Sequence, residues 1–523
     1  MTVFSSTSDM SPFLPPAWGL VLISIVFSPL AVFFPLHLAI FLILAATILA
    51  FCVRPMLLVY LMTASYALES CTIELHFENA SYYYGYVWVH FFEINNLITL
   101  AVIILWYLIG YHRNQNGALC SVPHLYKWIF FLFTTFIAWS AFIALLSSKA
   151  DVAFFGWWKL NCNFVMMALL IIHLDRYDKF IKVMSLYCGV AFIFSLISIY
   201  ATHQAFETTK MIYLSPDLSA SIKIALFNRP GGVMEKLVGL VNGFGLCGKH
   251  QLGMLVLGGI LFSVFLAKHY KSWIIRATLV LLICLFEMIL YNNVMKLSLT
   301  ASLLLLILAW LAVLPFRKYF IHILALFICL NIVGWCGSKL IQAPHLAATD
   351  EIISKLVTKV PASSQFQVGS IPHRVYIWEQ TFDRIIKNPF TGIGPEALRK
   401  DLLFNLPHGH NFFLTLTAEY GAPAGMLMLF AFFLVGIYSY HNIFSKDESN
   451  SGNNRILWFL KLTFFGASGS ALFESLFDCD IWLPHLWFML ALLLGSMNLE
   501  NRGKQRLNAA VPIHTGYLSM DLA

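Results

Sequence analysis

The sequence predicts an all-α, polytopic integral membrane protein of about 12–14 transmembrane helices, and three observations predict it. Hydrophobic residues make up 59% of the 523, and charged residues only 11%, against roughly 45–50% and about 25% in an ordinary soluble domain. Apolar runs long enough to cross about 30 Å of hydrocarbon recur from Ala17 to Met497. Lys and Arg gather in alternate loops, as the excess of basic residues in cytoplasmic loops requires. The spans must be helices, because lipid offers no partner to an open backbone.

In chain order the apolar runs are about 17–34, 36–52, 56–68, 97–111, 128–146, 162–174, 183–201, 250–267, 277–294, 298–314, 319–337, 416–440, 456–475 and 483–498. The third and sixth are short for a crossing; if both are re-entrant, twelve spans remain and both termini stay on one side. With the amino terminus inside, every cytoplasmic loop is basic. These loops carry Arg54; Arg113 and Lys127; Arg176, Lys179 and Lys182; Lys268, Lys271 and Arg276; Arg317 and Lys318; Lys446 and Arg455; and Arg502, Lys504 and Arg506 in the tail. The opposite side receives the larger segments 69–96, 147–161, 202–249 and 338–415. Residues 1–500 read as one transmembrane helical domain and 501–523 as a short, polar cytoplasmic tail. The first sixteen residues hold Asp9 and neither Lys nor Arg, so no cleaved signal peptide is expected. The net charge of +7 follows from the cytoplasmic loops and implies no nucleic-acid partner. Ten Cys, with no CxxC pair, read as small packing residues rather than metal ligands.

Basic residues on the outer side are informative, because the loop bias no longer explains them. Arg229 stands in "NRPGG", ahead of Lys249-His250 at the mouth of the eighth span. It reads either as a site residue or as a surface arginine in a Gly-rich loop. In "IPHRVYIWEQTFDRIIKNPFTGIGPE", the apolar residues from Val375 to Ile386 recur at helical spacing, predicting an amphipathic helix on the outer membrane surface. Arg374 falls at its start, where the helix dipole disfavours a cation. In "LPHGHNFFLTLTAEYGAPAG", His410-Asn411 opens a helical run into Gly421 and Gly425, small residues that admit a close neighbour. His410 reads either as a base held at the mouth of a span or as an interfacial cap; His408, two residues away with no third ligand, makes no metal site. Lys159, in "FFGWWKLNCNF", reads by default as a lysine snorkelling beside interfacial tryptophans. Arginine forks suit a diphosphate, and a histidine suits deprotonation of a hydroxyl. The set points to transfer onto a hydroxyl with diphosphate leaving.

His410-Asn411, nine residues, Gly421 and then Gly425 resembles the signature of bacterial O-antigen ligases and of their relatives, the O-antigen and exopolysaccharide polymerases. The family has Gly, Thr or Tyr three residues after the first Gly, where this chain has Ala424. "NRPGG" with "NGFGLCGKHQLGML" is similar to the family's first external loop, "LTASLLLL" (Leu299 to Leu306) to its Thr-x-Ser stretch, and "HRVYIWEQTFDRIIKNPFTGIG" to its Arg-x-x-x-Trp stretch. Leu303 stands where the family usually has Arg. The resemblance covers about 155–440. It implies a metal-independent, inverting glycosyltransferase with no cofactor, acting at the periplasmic face of a bacterial inner membrane. Arg229 and Arg374 would bind the diphosphate of an undecaprenyl-diphosphate-linked oligo- or polysaccharide, and His410 would be catalytic, with Lys159 and Asn411 supporting. The acceptor would be a glycolipid or a lipid-linked glycan; membrane lipid and other polysaccharide-assembly proteins would be the remaining partners. The rival from another class is a transporter or flippase, for which Glu287 is the one intramembrane candidate.

Overall fold

The computed structural model describes residues 72–76, 86–90, 124–147, 150–214, 249–293, 371–395, 397–398, 411–444, 452–475 and 484–510, together with residues 60, 63, 328, 329, 332 and 336. The spans expected at 17–34, 36–52, 97–111 and 298–314 lie outside these residues. Helices dominate: α1 (His124–Leu146), α2 (Ala150–His173), α3 (Tyr177–Leu214), α4 (Lys249–His269), α5 (Trp273–Asn293), α6 (Ile371–Lys387), α7 (Phe412–Tyr420), α8 (Ala422–Phe444), α9 (Gly452–Ser475) and α10 (Pro484–Ala510). Segments of α1, α3, α4, α5 and α8 are long and apolar enough to cross a membrane, with shorter apolar stretches in α9 and α10. The protein is an all-α polytopic membrane protein. To that the described residues add one short antiparallel pair, β1 (Thr72–His76) with β2 (Tyr86–His90), Thr72 opposite His90, in the first expected external segment.

The core gathers round α10, whose residues from Leu486 to Leu494 are all buried, as a helix apolar on every side must be. It packs chiefly on α2 and α9. Trp487 meets Phe133 of α1 at 5.6 Å between ring centres, and Phe488 stacks on Tyr187 of α3. Helix α4 packs on both α3 and α5 because Gly258 and Gly259 leave it without side chains there. A Cβ at Gly258 would fall 2.5 Å from the Tyr187 hydroxyl of α3, and one at Gly259 2.7 Å from the Phe286 ring of α5. The outward faces remain apolar, for example Leu281 on α5 and Leu429, Phe430 and Phe433 on α8. Lipid matches such surfaces and water does not.

The helix ends that lead into three of the basic loops lie together at one end of the bundle. The Tyr177 hydroxyl, where α3 begins, is 3.1 Å from His269 Nδ1, where α4 ends. Lys268 sits over the Phe459 ring of α9, and the Trp458 indole N–H donates to the last turn of α8 at the Ile443 carbonyl, 2.8 Å away. The ends at which α2, α4 and α8 stop therefore share a face. Helix α8 has 23 residues, about 34 Å at 1.5 Å per residue, so its other end opens on the opposite face.

Four boundaries differ from the sequence expectation. The short run at 162–174 is the second half of the 24-residue α2, so most of the expected external segment 147–161 is helix. Helix α3 runs on to Leu214, into the segment expected outside. The run 416–440 is not one span but two helices, α7 and α8, parted at Gly421. Helix α10 continues to Ala510, through the first half of the expected polar tail.

Candidate active site

The site is built at the end of α8 opposite the basic loops. Helix α6 begins with Ile371-Pro372, a proline in the first turn where no N–H partner is needed. Arg374 is its fourth residue, one turn before Ile377 and two before Thr381, both buried. Ile377 packs with Ala418 of α7 and Leu398, with Ile385 and Ile393 against them. The helix carrying Arg374 is thus fastened to the helix that follows His410.

Helix α7 has only nine residues, too few to hold itself together in isolation. Asn411 is its N-cap: the side-chain Oδ1 accepts from Leu414 N–H at 3.0 Å and the carbonyl from Thr415 N–H at 2.9 Å. At the far end, the last four carbonyls of a helix lack partners within it beyond the terminal turn, and here each is met. Gly421 N–H donates to Thr417 O, Ile393 N–H to Ala418 O and Gly394 N–H to Glu419 O, all at 2.9 Å. The indole N–H of Trp139 on α1 donates to Tyr420 O, also at 2.9 Å.

Two of these donors come from the turn "NPFTGIGPE", which the sequence shows as a connection and the structure shows as the cap of α7. The turn closes on itself through Gly392 N–H to Asn388 O, and holds the start of α8 through Ala422 N–H to Pro389 O at 2.7 Å. Ser147, just after α1, donates to Ile393 O at 3.3 Å. Such crossing needs glycine. Gly421 has φ +83° and ψ 164°, a region only glycine enters readily, and a Cβ there would strike the Phe390 carbonyl. Gly394, at φ +103°, would meet Ser147.

The expected role of Gly421 and Gly425, admitting a neighbouring helix, is corrected for Gly421 and holds for Gly425, whose neighbour is α7. Gly421 turns the chain between α7 and α8, and Gly425 leaves room for the Thr417 side chain of the preceding helix. Ala424 is fully buried, so the position at which this chain departs from the family pattern faces the core and the small residue stands one later.

Lys159 is not a snorkelling lysine. It is the tenth residue of α2 and 7% exposed, one turn from the equally buried Asn163. Sequence reading passed over Trp139 and Ser147, which nothing in the local pattern ties to the turn; Glu419, the carboxylate of "LTLTAEYG", is 1% exposed on α7. His410 is outside the described residues, but it is bonded to Asn411 and so enters α7 one residue before the cap. His408 and Arg229 also lie outside them, and for Arg374 the description extends to the backbone.

The family model described as O-Antigen ligase matches residues 294–444, from the end of α5 through α6, the capping turn, His410-Asn411 and α7 to the end of α8. These residues are an O-antigen ligase family domain. The match covers residues 294–444 of the 523, and for that stretch it supports an O-antigen ligase and polymerase superfamily assignment. The O-antigen ligase domain is narrower than the resemblance drawn from residues: it contains Arg374 and His410, while Arg229 and Lys159 precede it. Among curated proteins, none matches the chain.

Proposed function

We propose that the protein transfers a glycan from an undecaprenyl-diphosphate-linked donor to an acceptor hydroxyl at the periplasmic face of a bacterial inner membrane, both termini being cytoplasmic. The acceptor hydroxyl attacks the anomeric carbon, forming the new glycosidic bond. The bond from that carbon to the diphosphate oxygen breaks, its electron pair leaves with the diphosphate, and the anomeric configuration inverts. His410 takes the hydroxyl proton, a role typically worth about 10²–10⁴-fold. Arg229 and Arg374 hold the diphosphate and neutralise the charge that grows on it; one preorganised donor of this kind typically contributes about 3–4 kcal/mol. No metal or cofactor takes part.

The observation that carries this reading is the fastening of α6 to α7. The helix bearing Arg374 packs through Ile377 on the helix entered from His410, and the turn that follows the first caps the second with backbone hydrogen bonds, within the stretch that the O-antigen ligase model matches. Leaving-group binding and proton removal must keep a fixed mutual geometry, because small misplacements cost rate steeply. A polymerase differs only in the acceptor, a lipid-linked glycan in place of a core glycolipid, and uses the same groups.

The test uses purified full-length protein with a lipid-diphosphate-linked glycan, scoring both transferred glycan and released lipid diphosphate. Both should appear in wild type, and Arg374→Lys and Arg229→Lys should each lose transfer, since a point charge does not replace the two-toothed fork. Transport of donor without release of lipid diphosphate would make it a transporter instead. Full transfer by both lysine variants would make the arginines ordinary surface residues.

A further inference from the structure

Helix α6 has a wider apolar arc than its protein contact uses. At 3.6 residues per turn, Ile377, Thr381 and Ile385 form the side turned to α7. The apolar arc then continues past them through half-buried Trp378 to Phe382, Val375 and Ile386, which are 54%, 41% and 62% exposed. Only after these does the polar arc begin, with Glu379, Asp383, Lys387 and Gln380. One helix thus presents three sides, to protein, to nothing described, and to water.

The position of the open side says what covers it. Three residues beyond the end of α6, Phe390 is 72% exposed, and its carbonyl abuts Gly421, directly before the membrane span that starts at Ala422. Within that span Met426, Leu429, Phe430 and Phe433 are also exposed. The chain leaving the stripe on α6 therefore meets the mouth of α8, whose own exposed residues are apolar as well. A stripe extending the length of α6 can stay out of water only if the helix lies along the membrane plane.

We propose that this side of α6, Val375, Phe382 and Ile386 with Phe390 beyond it, lies in the acyl chains of the leaflet at that mouth, and that this immersion sets the height of the turn carrying Arg374 at the level of the lipid phosphates. An in-plane amphipathic helix sinks its apolar face roughly 5–10 Å into the headgroup and acyl boundary. A membrane-anchored donor presents its diphosphate at the same level. The clause on height rests on the donor reading above; the immersion does not.

The test places a fluorescent amino acid at 382, 386, 379 or 383 of the full chain, reconstituted in vesicles of phosphatidylethanolamine and phosphatidylglycerol. Brominated acyl chains should quench 382 and 386 several-fold more than 379 and 383, and aqueous iodide should do the reverse. Equal quenching at all four positions would overturn the proposal. So would 382 and 386 screened from both quenchers, since another part of the protein would then cover the stripe. Phe382→Asp should lower transfer from a long-chain donor at least several-fold, and Phe382→Leu should restore it. Full transfer by Phe382→Asp would overturn the height clause. Quenching needs no donor, so a wild-type protein inactive in the transfer assay would sink the functional reading and leave the immersion result to be judged alone.

Discussion

The two ends of the bundle are closed by different means. At the basic end, side chains cap helices: Lys179 Nζ donates to His173 O at 3.0 Å where α2 stops, Arg276 Nε to Tyr270 O at 2.7 Å after α4, and Trp458 to Ile443 O after α8. At the site end the closure is mostly backbone to backbone, from Ile393, Gly394 and Ala422 to α7 and the turn, through three glycines of positive φ. A side-chain cap can change rotamer and reform. A backbone bond through a glycine-only conformation has no such slack, so positional precision is concentrated at the end where the proposed leaving-group site and base would meet.

The contrast breaks hardest at Gly421. Replacing it with Ala forces a side chain into a region costing of the order of 1–3 kcal/mol and against the Phe390 carbonyl. The expected outcome is loss of most transfer activity and a lowered melting temperature. Gly436→Ala, farther along α8 where a Cβ meets nothing within 4 Å, should alter neither; calorimetry with the transfer assay checks both. A middle effect is expected at Trp139→Phe, which keeps an aromatic ring and removes the indole donor to Tyr420 O at the α7 end. Loss of about 1 kcal/mol should appear as a lower kcat with unchanged KM for donor. An unchanged kcat would mean that the cap does not position the site. The smallest effect belongs to the basic end. Lys179→Ala removes a cap and the ion pair to Asp175, and should cost about 0.5–1 kcal/mol of stability without touching kcat. A fall in kcat there would erase the distinction between the two ends.

What the sequence made legible follows from what hydropathy can register. The ends of α1, α4, α5 and α9 lie within a few residues of the apolar runs, because there lipid contact, composition and helix length coincide. Helix α2 reads as short because Asp151, Lys159 and Asn161 dilute its first half, although Lys159 is buried inside the protein. Gly421 parts α7 from α8 by a backbone angle that leaves the hydropathy of the run unbroken. The polar end of α10 looks like a tail because composition reports solvent and not hydrogen bonding along a helix. At the site, His410-Asn411 and Arg374 were visible as residues out of keeping with their surroundings, and α6 as a helix with Arg374 in its first turn. The lock between α6 and α7 was not visible, since its donors are backbone N–H groups and its partners Trp139 and Ser147 stand more than 200 residues away in the chain.

The most direct measurement compares His410→Ala with His408→Ala, scoring glycan transfer and donor binding side by side. His410 is bonded to the N-cap of a helix fixed at both ends, whereas His408 lies two residues further from it, beyond Gly409. Transfer should vanish in His410→Ala while lipid-diphosphate donor still binds, His408→Ala should retain near-normal transfer, and chelator should change neither result. Equal loss in both variants with rescue by a divalent metal, or full transfer by His410→Ala, would contradict a positioned base at the start of α7.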